Sequence, residues 1–185
     1  MSITQKNRMH IRRLTTDAIL IALFVVFSTL LSLKTPIFEV SLVSIPILLA
    51  AFYCGVADAL VVAAVGSFLE QALSAYGLSA TTPLWMAPVI LQALVAALLF
   101  HFFCRGRSGR TWVLILTILA AELTLTAANT AALYLDGAIW GYPVKALHLL
   151  LPTRLINGGV RTALSCVLFP LVLPILSRTL PVRAE

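Results

Sequence analysis

Apolar runs recur along this chain at the length that a lipid bilayer dictates. Crossing a hydrocarbon core about 30 Å thick takes about 20 helical residues at about 1.5 Å each. Six runs can be laid out on this scale: Thr16–Leu33, Val40–Tyr53, Val56–Ala75, Pro83–Phe103, Thr111–Leu135 and Leu147–Leu176. Pro36 stops the first of them, and only "CGVAD" separates the second from the third. Of the 185 residues, 61% are hydrophobic and 11% charged, whereas a soluble domain carries about 25% charged residues. The expected fold is an all-α membrane protein, a bundle of six transmembrane helices forming one integral-membrane domain over residues 1–185. Within it, residues 1–14 form a tail, 15–177 the bundle and 178–185 a second tail.

Charge sets the expected orientation. Lys6, Arg8, Arg12 and Arg13 precede the first run, Arg105, Arg107 and Arg110 lie in "CRGRSGR", and Arg178 and Arg183 follow the last run. In a six-span arrangement all of these fall on one side, and the opposite loops hold only Lys34 and Lys145. Basic residues collect in cytoplasmic loops, so both termini are expected in the cytoplasm. The net charge of +6 then reflects topology, and no nucleic-acid partner is implied. The N-terminus mimics a secretory signal, but no small-residue cleavage site follows it, so a retained first helix is expected. Cys54, Cys104 and Cys166 form no CxxC and have no ligand-spaced histidines, which argues against a metal or redox site, and no cofactor is expected. A GxxxxGK[ST] phosphate loop is also missing, so ATP hydrolysis by that route is excluded.

Polar groups at membrane depth are costly, about 2.5–3.5 kcal/mol for an ionised residue at the centre of a span, and they face a cavity or a partner. Glu70, Glu122, Arg154 and Arg161 lie within the runs, joined by Gln71, Gln92, Asn129 and Asn157. On a helix, residues seven apart share a stripe, so "LLPTRLINGGVRTALS" places Arg154, Asn157 and Arg161 on one face. Counted from the loop between the last two runs, Glu122 and Arg161 fall at one height near mid-membrane, which suits a structural ion pair. Arg154 and Asn129 match at a shallower level, six or so residues in. Glu70, Trp85, Tyr76, Tyr134 and Trp140 belong near the same surface. Arg154 has two readings here: snorkelling to headgroups, or contact with an anionic ligand. The aromatics likewise suit an interfacial belt or stacking on a flat ligand. Ala18 and Ala22, four apart in the first run, make a small-residue face, and Gly55, Ala59 and Ala63 make another in the third, suited to close helix approach.

The basic N-terminus, the AxxxA face, "SIPILLAAFYCGVADALVVAAVGSFLEQ" and "TTPLWMAP" together resemble the S components of energy-coupling factor (ECF) vitamin transporters. The resemblance covers nearly the whole chain, although Ala59 stands where relatives often have glycine. "YGLSATTPLWMAP" and "ALYLDGAIWGYP" look most like the folate family of S components. The resemblance implies capture of a vitamin without catalysis. The vitamin would enter from outside, near the outer helix ends, beneath the loop from Lys34 to Glu39. It implies partners too: a transmembrane coupling subunit, which docks on the face of Ala18 and Ala22, and two cytoplasmic ATPase subunits. The protein would topple in the membrane to carry its cavity inward. The expected substrate-binding residues are Lys34, Glu70, Gln71, Tyr76, Trp85, Asn129, Tyr134, Arg154 and Asn157.

Other classes make different demands. An enzyme needs a constellation that the chain lacks: there is no HExxH motif, and His101 and His148 belong near opposite faces. A structural membrane protein needs no polar cavity. An autonomous secondary carrier shows inverted repeats, and none is evident. The sequence leaves the vitamin open: a folate or other pterin, pantothenate, a pyridoxine-like ring or a pyrimidine precursor could all use these groups.

Overall fold

The computed structural model describes residues 3–34, 39–74, 77–104 and 111–177. In chain order come α1 (Ile3–Thr29), a two-residue antiparallel pairing of β1 (Leu33–Lys34) with β2 (Glu39–Val40), α2 (Ser44–Leu49), α3 (Val56–Leu73), α4 (Thr82–Leu99), α5 (Thr111–Trp140) and α6 (Val144–Ser177). The helices α2 and α4 each run on into a wider π-type turn, Ala50–Cys54 and Phe100–Cys104.

Helix boundaries depart from the sequence expectation in instructive ways. The helix α1 begins at Ile3, well before the first apolar run, and ends at Thr29. The second run shrinks because Glu39 and Val40 pair with β1, so α2 starts only at Ser44. From Ser44 to Cys54 the chain makes an apolar helix of 11 residues, about 16 Å long and so half a hydrocarbon core. Every residue of α2 is buried, as a helix that is hydrophobic on all sides requires. It sits centrally, touching α1, α3, α4 and α6. Among the described residues, four helical segments are long and apolar enough to cross a membrane: Val56–Leu73, Thr82–Phe103, Thr111–Trp140 and Val144–Leu173.

Two glycines permit the sharpest turns. Gly55, at φ 98°, breaks the chain between α2 and α3, and Gly141, at φ 71°, reverses it between α5 and α6; side chains are disfavoured at both angles. Elsewhere small residues set helix spacing. Ala59 and Ala63 are fully buried on α3, and a Cβ on Gly66 would come within 2.8 Å of the Phe24 ring of α1. The core centres on Phe24, Ile47, Leu48, Val62, Ile118, Leu125 and Phe169, with Phe100 stacked on Phe169 and Phe52 meeting both rings edge-on. The outward faces are apolar as well, including Val61, Val65, Phe68, Leu91, Leu116, Leu123, Leu155 and Leu171. Such a surface is an aggregation hazard in water and the expected finish of a lipid-facing bundle.

Candidate functional site

The helices α5 and α6 form an antiparallel hairpin whose register places the polar side chains. Gly137 lies against Leu147. Deeper, Arg154 Nη1 donates to the Asn129 carbonyl at 3.1 Å. Seven residues further on each helix, Arg161 Nε lies 3.1 Å from Glu122 Oε2. A rise of about 1.5 Å per residue puts these two polar levels about 10 Å apart.

The deeper level is a closed network. Glu122 is fully buried; Arg161 Nε donates to one of its oxygens, and Ser165 Oγ donates to the other at 2.8 Å. Arg161 Nη2 also lies 3.4 Å from Thr126 Oγ1. Both carboxylate oxygens are therefore satisfied, as a buried charge requires.

The shallower level is more open. The Arg154 guanidinium lies 5.7 Å from the centroid of the Trp85 ring, in the first turn of α4, within cation–π range. One turn beyond Arg154 on α6, the Oδ1 of Asn157 is buried without a hydrogen-bond partner. Trp85, Asn129, Arg154 and Asn157 thus supply an aromatic face, a charged donor and a buried acceptor from three helices. Arg154 is ten residues past Val144, the start of α6, so this group lies deeper from the helix ends than the expected six. The reason is the length of the hairpin, which extends α5 to Trp140 and starts α6 at Val144.

The remaining expected residues are placed separately. Tyr134 pairs with His148, its hydroxyl 2.9 Å from Nδ1. Glu70 and Gln71 are half-buried in the last turn of α3. Lys34 contributes its backbone to β1, and Tyr76 lies outside the described residues. Ala18 and Ala22 are both exposed on α1.

Sequence reasoning misses three interactions. The first is the Tyr134–His148 contact. The second is at the opposite end of the bundle, where Arg13 pairs with Asp58 in the first turn of α3. Asp17, Asp58 and Cys54 gather there with their polar atoms within 4.8 Å of one another. The signal for it is an arginine and an aspartate four apart on α1, Arg13 and Asp17, facing an aspartate just after the Gly55 turn. The third is a buried hydrogen bond from Gln92 Nε2 to Ser44 Oγ at 3.0 Å, which joins residues 48 apart and leaves no local trace.

The model of the family described as the ECF transporter, substrate-specific component, matches residues 12–173, and the chain belongs to that family. A solved structure described as the S component of a bacterial ECF transporter superposes with a TM-score of 0.63 at 21% identity, covering 93% of this chain and 99% of that one. No functionally curated protein matches the chain at a significant level. The protein is accordingly a substrate-binding subunit, not an enzyme, and pairs with an energy-coupling module of transmembrane and ATPase subunits.

Proposed function

We propose that this S component captures folate or a related pterin from outside the cell, in the site built by Trp85, Asn129, Arg154 and Asn157. The observation that carries this reading is the pairing of Arg154, held against Trp85 and Asn129, with the unpartnered buried acceptor of Asn157. A folate offers matching chemistry: a flat ring system to lie against Trp85, carboxylates for Arg154, and ring donors for a buried amide oxygen. The proposed set of substrate-binding residues also includes Lys34, Glu70, Gln71, Tyr76 and Tyr134. Glu122 and Arg161 hold α5 to α6 beneath it as a structural pair.

The chain crosses the membrane six times with both termini in the cytoplasm, following the one-sided placement of its basic residues. Residues 1–14 and 178–185 are its cytoplasmic tails. The coupling subunit docks on Ala18 and Ala22, whose exposure on α1 leaves a small-residue face open to another helix.

The test is a titration of folic acid, pantothenate, pyridoxine and thiamin into purified wild type, Arg154→Ala and Arg154→Lys. Losing a hydrogen bond to a charged group costs about 1.5–3 kcal/mol, or roughly 10- to 150-fold in affinity. Folic acid should bind the wild type, weaken by that factor in Arg154→Ala, and recover only in part in Arg154→Lys, since a point charge cannot replace a planar fork. Equal affinities in all three proteins would show that Arg154 snorkels. Preference for another vitamin would reassign the substrate.

A further inference from the structure

The side chain of Gln92 is fully buried on α4. Its Nε2 donates to Ser44 Oγ, and its Oε1 has no hydrogen-bond partner. An amide has a donor end and an acceptor end, and one serine hydroxyl serves only one of them. The remaining end lowers stability when it is buried unsatisfied, and a methionine of the same shape would fill the space without that cost. Packing alone therefore gives no reason for glutamine at this position.

Its placement does. Trp85 and Gln92 are seven residues apart on α4, hence on one face and about 10 Å apart along the axis. Trp85 meets Arg154 of α6 on that face, and Gln92 meets Ser44, the first residue of α2. The short helix α2 touches both α4 and α6, and its first residue, Ser44, meets α4 at Gln92, two turns along the helix from Trp85. Asn157, with its own unpartnered Oδ1, lies one turn below Arg154 on α6. Arg154, Asn157 and Gln92 therefore descend toward the end of α2, a charged donor first and two unsatisfied acceptors beneath it.

We propose that Gln92, held by Ser44, is the floor of the binding site and a specificity-determining residue. Its Oε1 accepts a hydrogen bond from an N–H at the buried end of an elongated ligand whose anionic end reaches Arg154. The ligand is thus oriented with its ring donors inward and its carboxylates toward the mouth. This inference rests on the reading of the Arg154 group as the site.

The experiment measures folic acid binding and unliganded melting temperature for wild type, Gln92→Met and Arg154→Ala. Gln92→Met should weaken folic acid by roughly 5- to 150-fold, the range for a buried hydrogen bond lost. Its unliganded melting temperature should equal or exceed that of wild type, because an orphaned amide has been removed. Wild-type affinity in Gln92→Met overturns the floor. So does a lowered melting temperature or a failure to fold, which would make Gln92 a packing residue. Loss of affinity in Arg154→Ala alone removes the floor and leaves the site in place. No effect in either variant, or no folic acid binding by wild type, removes both.

Discussion

At the scale of single residues, Glu122 and Arg161 are the clearest case of burial deciding what a pair of side chains must do. Glu122 has no solvent contact, and Arg161 and Ser165 satisfy both of its carboxylate oxygens. Arg161→Ala strands that carboxylate and should cost about 3–5 kcal/mol, the usual penalty for breaking a buried pair from one side. Replacing both residues together, as Glu122→Gln with Arg161→Met, should cost less than Arg161→Ala alone. Chemical denaturation of wild type, Glu122→Gln, Arg161→Met and the double variant in detergent gives the coupling energy, and a value near zero would show the two side chains to be independent. The pair's matched height was legible in the sequence because α5 and α6 are antiparallel with a short turn. Both helices extend toward that turn, α5 to Trp140 and α6 from Val144, so the errors in the two expected boundaries largely cancel in relative height. They do not cancel in absolute depth, which is why the Arg154 level lies deeper than counted. The Gln92–Ser44 bond was illegible for another reason: its partners are 48 residues apart, and only packing brings them together.

At the scale of elements, the α5–α6 contact is set by a glycine beside a threonine. A Cβ on Gly158 would lie 2.6 Å from Thr126 Oγ1 and 2.8 Å from its Cγ2. Thr126 Oγ1 already donates to the Glu122 carbonyl at 3.0 Å and lies near Arg161 Nη2. Added bulk would therefore separate the helices beside their ion pair. Gly158→Ala should destabilise the protein by about 1–3 kcal/mol, the cost of overpacking a tight contact. Thr126→Ala in the same chain removes the two atoms that clash most closely and should restore part of the loss. If the double variant melts below Gly158→Ala, the clash is not the cause. Sequence periodicity points to the polar stripe of α6 but not to this role for Gly158, because a glycine in an apolar helix looks the same whether it faces lipid or a neighbour. Gly159, its neighbour in sequence, would meet nothing within 4 Å.

At the scale of the whole molecule, α1 presents the face on which the proposed docking of the energy-coupling module depends. The ion pair of Arg13 with Asp58 and the contact of Phe24 with Gly66 tie one side of α1 to α3. Ala18 and Ala22 remain exposed between these two anchors. A face of this kind gains little from lipid and much from a second helix, since small side chains let backbones approach closely. The small-residue spacing was legible in the sequence, but its direction was not. Ala59 and Ala63 on α3 have the same spacing and are fully buried, whereas Ala18 and Ala22 are open. Ala18→Trp or Ala22→Trp should therefore abolish co-purification with the energy-coupling module and vitamin uptake by cells, while folic acid affinity of the isolated chain stays within about twofold of wild type. Uptake by the wild type should stop when cellular ATP is depleted with the proton gradient maintained, because the ATPase subunits of the energy-coupling module supply the energy. Normal uptake by the tryptophan variants would move the docking surface elsewhere. Parallel loss of folic acid binding would instead mean that the substitution had disturbed the packing of α1 on α3.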